Sequence, residues 1–412
     1  MSAETLERYT TEDSQDELPF METYVSPTIE ELNERLSVVR EAGVSKLPFE
    51  TLGYNISPLV YMENARADMA PGKSFKARGA YYAMKKAVQR GVKKFSTASA
   101  GNHAQGVANA ANLLDVSADI FMPKQTPLVK VQGIRDLSDE APVNIHVGQE
   151  VDNKIVGFNT FDEAQKSAIA MDEAEFLSPF DNYDVISGQG TLIYEMLLQK
   201  PDLDVLYLTV GGGGLLASAL EVVDTMKKVG LVKQSLKVVA VMLDGNDSLL
   251  ETQKNNWILT PASGVDSFAE GGAVEEIGAI PAALIEKCEE HLETEVITKD
   301  DMARALWYVE EANRLRSDED KLPLDETTAL VVRAGALVRA ERRDLEGGHG
   351  KENWMTVTTG SNASEAKLDE LRDRYVDIYN RAVTEYEQEK AERQNASIMG
   401  RECLTLSGFV GR

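Results

Sequence analysis

The sequence predicts an α/β protein with mostly parallel sheets, and three observations carry that expectation. Short apolar runs bounded by glycine alternate with helix-spaced segments from about residue 57 to about residue 362, the pattern of strands joined by crossover helices. The run Gly211-Gly212-Gly213-Gly214 stands between the strand candidate Asp204–Val210 and the helix candidate Leu215–Lys227. A second tract of small residues, Ser96 to Gly106, joins the strand candidate Phe95–Ala98 to the apolar helix Val107–Leu114. A strand, a small-residue loop and a helix in succession make an anion site, because free amides at a helix N-terminus converge on a phosphate or carboxylate.

The other elements follow along the chain. Residues 1–26 are rich in Glu, Asp, Thr and Ser and read as an acidic arm, mobile or loosely docked. Thr28 precedes Ile29, Leu32, Leu36, Val39 and Ala42, whose spacing predicts a capped helix over 29–42. Further strand candidates are Ala118–Met122, Val143–Val147, Lys237–Leu243 and Met355–Thr359. The stretch Glu365–Gln394 lacks Gly and Pro and repeats Leu368, Leu371, Tyr375, Ile378, Tyr379 and Ala382 at three- and four-residue steps. It predicts a helix packed on the core or on another subunit. About fifty residues after Gly360 lie near the lower edge of domain size, so no regulatory domain is expected there.

Composition bounds the partners. A chain of 412 residues can bury a large core and hold two lobes. Its formal charge of −25 argues against nucleic acid or an anionic membrane as partner. Two cysteines and four scattered histidines show neither a disulfide framework nor a metal-ligand spacing, so no metal is expected. No apolar stretch is long enough to span a bilayer, and the acidic start is unlike a signal peptide.

The chemistry begins at Lys73-Ser74-Phe75-Lys76-Ala77-Arg78-Gly79-Ala80. A lysine at a helix mouth meets the positive end of the macrodipole, which disfavours the ammonium and lowers its pKa. A lowered pKa is what imine chemistry with an aldehyde requires. Taken alone, these eight residues are better read as an ordinary amphipathic helix with a solvated lysine. The tracts Ser99–Gly106 and Gly211–Leu215 shift the balance.

In this order the three tracts resemble the fold-type-II pyridoxal-phosphate enzymes and, within them, the threonine/serine dehydratase group. The matching pieces are Ser74–Ala80, Ser99–Gly106, Gly188-Gln189-Gly190-Thr191, Gly211–Leu215 and Phe268-Ala269-Glu270-Gly271. The resemblance implies a two-lobed, tryptophan-synthase-beta-like fold, each lobe an open, mostly parallel sheet flanked by helices. The large lobe is expected over 27–93 and 182–362, a small substrate-loop lobe over 94–181, and a helical extension over 363–412.

The resemblance also implies roles. Lys76 is expected to bind the pyridoxal 5'-phosphate aldehyde as an imine and then to act as base at the substrate Cα. Phe75 would cover one ring face and Asn102 would hydrogen-bond the phenolic oxygen. Gly211, Gly212, Gly213, Gly214 and Leu215 would hold the phosphate, and Thr359 would sit beside the pyridine nitrogen. Ser99, Ala100, Gly101, Asn102, His103 and Gln105 would receive the substrate carboxylate. His103 reads equally well as a structural histidine, and Glu326 as a residue near the ring or a solvated loop acid. Related racemases carry a second serine where this chain has Ala100. A methyl group carries no proton, so one-sided elimination is favoured over racemisation.

The expected reaction is loss of water from L-threonine, secondarily L-serine, giving 2-oxobutanoate and ammonia. It implies a cytoplasmic homo-oligomer in amino-acid metabolism, on the route to isoleucine. Lyases of hydroxyaspartate or diaminopropionate, a β-replacement or threonine synthase, and a non-catalytic ligand-binding relative are the alternatives. Met242-Leu243-Asp244, the short segment Pro58–Gly72, the insertion Gln149–Gly157, Thr327 in place of proline and the doubled Gly271-Gly272 depart from the family pattern.

Overall fold

A computed structural model describes residues 24–45, 54–57, 60–67, 70, 74–138, 141–147, 149–151, 154–314, 327–345, 351–358, 366–378 and 380–381. Glu326, Thr359 and the residues before Tyr24 lie outside the described residues.

Two sheets organise the chain. The larger has six strands in the order β1 (Tyr54–Ser57), β2 (Val60–Arg66), β12 (Glu352–Thr358), β9 (Val205–Thr209), β10 (Lys237–Leu243) and β11 (Leu292–Ile297). Only the β1–β2 pair within it is antiparallel. The smaller sheet, β5 (Val143–His146), β4 (Ser117–Phe121), β3 (Lys94–Ala98) and β8 (Glu175–Phe176), is wholly parallel. The insertion anticipated at Gln149–Gly157 is a hairpin of β6 (Gln149–Val151) and β7 (Lys154–Val156).

Strand β10 shows why the larger sheet is buried on both faces. Val238, Ala240 and Met242 join the core on one side, while Val239, Val241 and Leu243 join a second core on the other. A period of two in an unbroken apolar run thus feeds two layers, as parallel sheets require. The first core takes in α1 (Ile29–Glu41), α2 (Lys76–Gln89), α6 (Tyr183–Gln199), α7 (Gly214–Lys228) and α9 (Ala279–Lys287). The second lies under α10 (Lys299–Arg314) and α11 (Thr327–Leu345), and Leu368 and Leu371 of a helix over 366–378 enter it. That helix therefore packs on this chain's own core, as its spacing predicts. Met242, one of the departures from the family pattern, is buried in the first core.

Helix α1 starts with a reciprocal cap between Thr28 and Glu31, satisfying two otherwise orphaned amides. The residues just before it depart from the expected loose arm. Tyr24 is buried and its hydroxyl donates to Glu221 at 2.6 Å, and Ser26 donates to Asp224 at 2.7 Å. Glu221 also takes Arg35 at 2.8 Å, so a carboxylate buried on α7 holds both segments.

Candidate active site

Three loops follow the C-terminal ends of parallel strands, the place where open α/β sheets bind ligands. Ser99 to Gly101 leads from β3 into α3 (Asn102–Leu114), Leu177 to Asn182 leads from β8 into α6, and Val210 to Gly213 leads from β9 into α7. Lys76 meets them as the first residue of α2, with Phe75 at the N-cap.

The Lys76 amine donates to the Pro179 carbonyl at 2.7 Å and lies 5.3 Å from the centre of the Phe75 ring. Burial lowers its pKa to about 8. The direction is the one expected, and desolvation by burial is a cause the sequence did not show. His103, on the first turn of α3, is buried, and its Nε2 lies 3.2 Å from the Leu177 carbonyl. Burial first, and then the nearby Lys76 charge, holds its pKa down to about 3. Its Nδ1 is buried with no hydrogen-bond partner.

The segment Leu177–Asp181 therefore links all parts of the site. The Phe180 ring packs on the glycine loop so closely that a Cβ at Gly212 would lie 2.2 Å from it. Asp181 Oδ1 accepts the Ile280 amide at 2.8 Å. Gln189, wholly buried on α6, extends Nε2 toward the Pro179 carbonyl at 3.5 Å, and its Oε1 has no partner. Sequence pattern alone does not reveal the role of this segment. A Pro followed by an aromatic and an Asp-Asn pair marks a turn before a capped helix, but nothing local says that its carbonyls face a lysine.

The glycine loop cannot carry side chains. Gly213 has φ +85°, and a Cβ at Gly211 would lie 2.5 Å from the Gly271 carbonyl. Helix α7 begins without a side-chain cap, which leaves first-turn amides as donors for an anion. Around α3, the Ser99 hydroxyl accepts the Gly101 amide at 3.2 Å and shapes the turn. Ala100 is half-buried against the small-sheet core, Asn102 opens the helix, and the Gln105 amide donates to the Gly101 carbonyl at 3.3 Å.

Other motif residues prove to be packing. Gly79 and Gly188 let α2 and α6 touch, since a Cβ at Gly188 would lie 2.9 Å from Gly79 Cα. Arg78 turns away from the site and pairs with Glu195 of α6 at 2.6 Å, both side chains buried. Among the described residues one trio, Asp224, Glu290 and His291, brings three potential metal ligands together. It belongs to the far end of α7, ten residues or roughly 15 Å from Gly214, and Asp224 is already held by Ser26 and Lys228.

A phosphate-bearing aldehyde fits this arrangement. A buried amine with a lowered pKa faces one side, and a side-chain-free loop at an uncapped helix start offers amides. Comparisons with known proteins agree. The chain is 34% identical over 311 residues to a threonine dehydratase of Nicotiana attenuata, covering 74% of this chain and 45% of that one. It is 31% identical over 351 residues to the biosynthetic L-threonine dehydratase IlvA of Haemophilus influenzae, covering 82% of this chain and 61% of that one. Thus it spans about half the length of several curated relatives. The structure of processed threonine deaminase isoform 2 from Solanum lycopersicum superposes with a TM-score of 0.64 at 28% identity, over 85% of this chain and 94% of that one. Residues 66–360 match the pyridoxal-phosphate dependent enzyme family, and the chain belongs to that family.

Proposed function

We propose that this chain deaminates L-threonine, and L-serine less well, by β-elimination of water to give 2-oxobutanoate and ammonia. The observation that carries the proposal is the buried Lys76 amine, held on the Pro179 carbonyl with its pKa near 8, in a chain whose relatives bear threonine dehydratase names. When bound, pyridoxal phosphate supplies an aldehyde that joins amines and a conjugated ring that draws electrons from the amino-acid Cα.

Every other task falls to the chain. Lys76 would hold the aldehyde and, once free, take the Cα proton, for which a pKa near the working pH is suited. Amides of Gly211 to Leu215 would hold the phosphate, with Phe75, Asn102 and Thr359 around the ring. Ser99 to Gln105 would bind the substrate carboxylate at the start of α3. Ala100 offers no second proton carrier on the opposite face, which favours elimination over racemisation. Closure of a small lobe, residues 94–181, over a large lobe, 27–93 and 182–362, would exclude water. The proposed setting is a homo-oligomeric, cytoplasmic enzyme on the route to isoleucine; the word biosynthetic in the relatives' names supports the route alone.

A panel of L-threonine, L-serine, hydroxyaspartate and diaminopropionate, followed for ammonia and 2-oxo acid, tests the reading. Threonine is expected to be turned over fastest. Release of neither product from threonine would sink the assignment, and turnover confined to an acidic or diamino substrate would transfer it to another lyase.

A further inference from the structure

His103 makes one bond that fixes its tautomer. The Leu177 carbonyl also accepts Thr97 Oγ1 at 2.8 Å, and a carbonyl can only accept, so His103 Nε2 at 3.2 Å must carry the proton. Nδ1 is then a lone-pair acceptor, buried and unpartnered. A buried acceptor left without a donor is costly, which suggests a donor that visits.

Geometry names the visitor. Gly106 stands one turn after His103 on the same face of α3, and a Cβ there would lie 3.1 Å from the Lys76 carbonyl oxygen. Hence the His103 face of α3 lies on the first turn of α2. Both side chains also hang on one segment, His103 on the Leu177 carbonyl and Lys76 on the Pro179 carbonyl two residues on.

We propose that His103 is a positioning residue for Lys76: the described arrangement leaves Nδ1 open, and a turn of the free amine on the Pro179 carbonyl would give one N–H to Nδ1 while the carbonyl keeps the other. A neutral amine has two N–H bonds and one lone pair. With both N–H bonds held, the lone pair is turned to the remaining side, ready for an aldehyde or a Cα proton. The inference deepens the role given to Lys76 and rests on it.

The test separates the two nitrogens of the ring. His103→Gln keeps a donor for Leu177 and loses the Nδ1 acceptor, whereas His103→Asn places an oxygen near the Nδ1 position and gives up the Leu177 bond. Cofactor-free protein is mixed with pyridoxal phosphate, with no amino acid present, and covalent capture is followed by absorbance alongside the melting temperature. Capture by His103→Gln is expected to slow about 10-fold at unchanged melting temperature, while His103→Asn melts lower but captures at the normal rate. Normal capture by His103→Gln, or equal slowing in both variants, overturns the proposal. If His103→Gln does not fold, His103→Leu, which also lacks the acceptor, takes its place: slow capture there with normal capture by His103→Asn supports the proposal, and equal capture in both overturns it. Lys76→Ala serves as control: undiminished capture there would refute the lysine assignment itself, and threonine turnover is scored separately.

Discussion

Replacing Gly212 with alanine should damage turnover far more than stability. The added Cβ would lie 2.2 Å from Phe180 Cγ and 2.4 Å from each Cδ, where carbon contacts normally need about 3.5–4.0 Å. Something must move by more than about 1 Å. Phe180 has little freedom to yield: its backbone lies close against Gly214, and Asp181 is tied to Ile280. The push therefore passes into the Pro179 carbonyl, which holds Lys76 at 2.7 Å. Overpacking of this kind costs about 1–3 kcal/mol. For a chain of 412 residues that lowers the melting temperature by only about 1–3 °C, whereas a misplacement of about 1 Å at the reacting group costs on the order of 100-fold in kcat. Steady-state threonine turnover and calorimetry on Gly212→Ala, Phe180→Ala and the double variant measure both effects. The double variant should recover part of the loss, with a coupling of about 0.5–3 kcal/mol. Normal kcat in Gly212→Ala, or strict additivity in the cycle, would show that Phe180 does not transmit the strain.

Two further perturbations separate stability from chemistry. Because Lys76 has its folded pKa lowered from 10.5 to about 8, the folded state binds fewer protons than the unfolded state between those values. The destabilisation is complete below the folded pKa and is relieved as pH rises toward the unfolded one. Lys76→Met should thus stabilise the cofactor-free protein at pH 7 by at most about 3 kcal/mol, lose that advantage above pH 8, and abolish covalent cofactor capture; urea titrations at pH 7 and 10 check the sign. Glu195→Ala strands the buried Arg78 guanidinium and should cost about 3–5 kcal/mol, whereas replacing both partners with apolar residues should be nearly neutral, as urea midpoints would show.

Much of the fold was legible because its periodicities are strong. The run Lys237–Leu243 coincides with β10, and Thr28 caps the helix it was expected to cap. Boundaries drifted where chemistry mattered most. The apolar spacing placed the helix start at Val107, yet α3 begins at Asn102, because polar residues in a first turn are invisible to a hydrophobic pattern. Lys76, the glycine loop and Ser99–Gly106 stood out because three tracts in this order resemble one family, not because any of them is unusual at a helix start. Pro179 and Phe180 did not, since their contributions are a backbone carbonyl and a packing ring brought in from more than 100 residues along the chain from Lys76. Arg78 read as part of a chemical motif, but its partner Glu195 is 117 residues away and its role is packing.

Lys76 and Arg78 differ in the way that would make one cation of this motif reactive and the other inert. Both are buried within one turn of α2, but Arg78 has a carboxylate at 2.6 Å, while Lys76 has a neutral carbonyl and only burial acting on its pKa. A carboxylate would hold the ammonium; a carbonyl orients the amine without holding its proton. The distinction can be erased at Gln189, whose amide reaches the same Pro179 carbonyl at 3.5 Å. Gln189→Glu places an anion beside Lys76, and an opposite charge at that range raises a lysine pKa by about 1–3 units. At pH 8 the neutral fraction would fall from about half to roughly 10% or less, so cofactor capture and turnover should slow in proportion and recover as pH is raised toward 10. Gln189→Met, which keeps the bulk without the charge, should leave the pH profile where it was. An unshifted profile in Gln189→Glu would mean that the absence of a carboxylate is not what frees the amine.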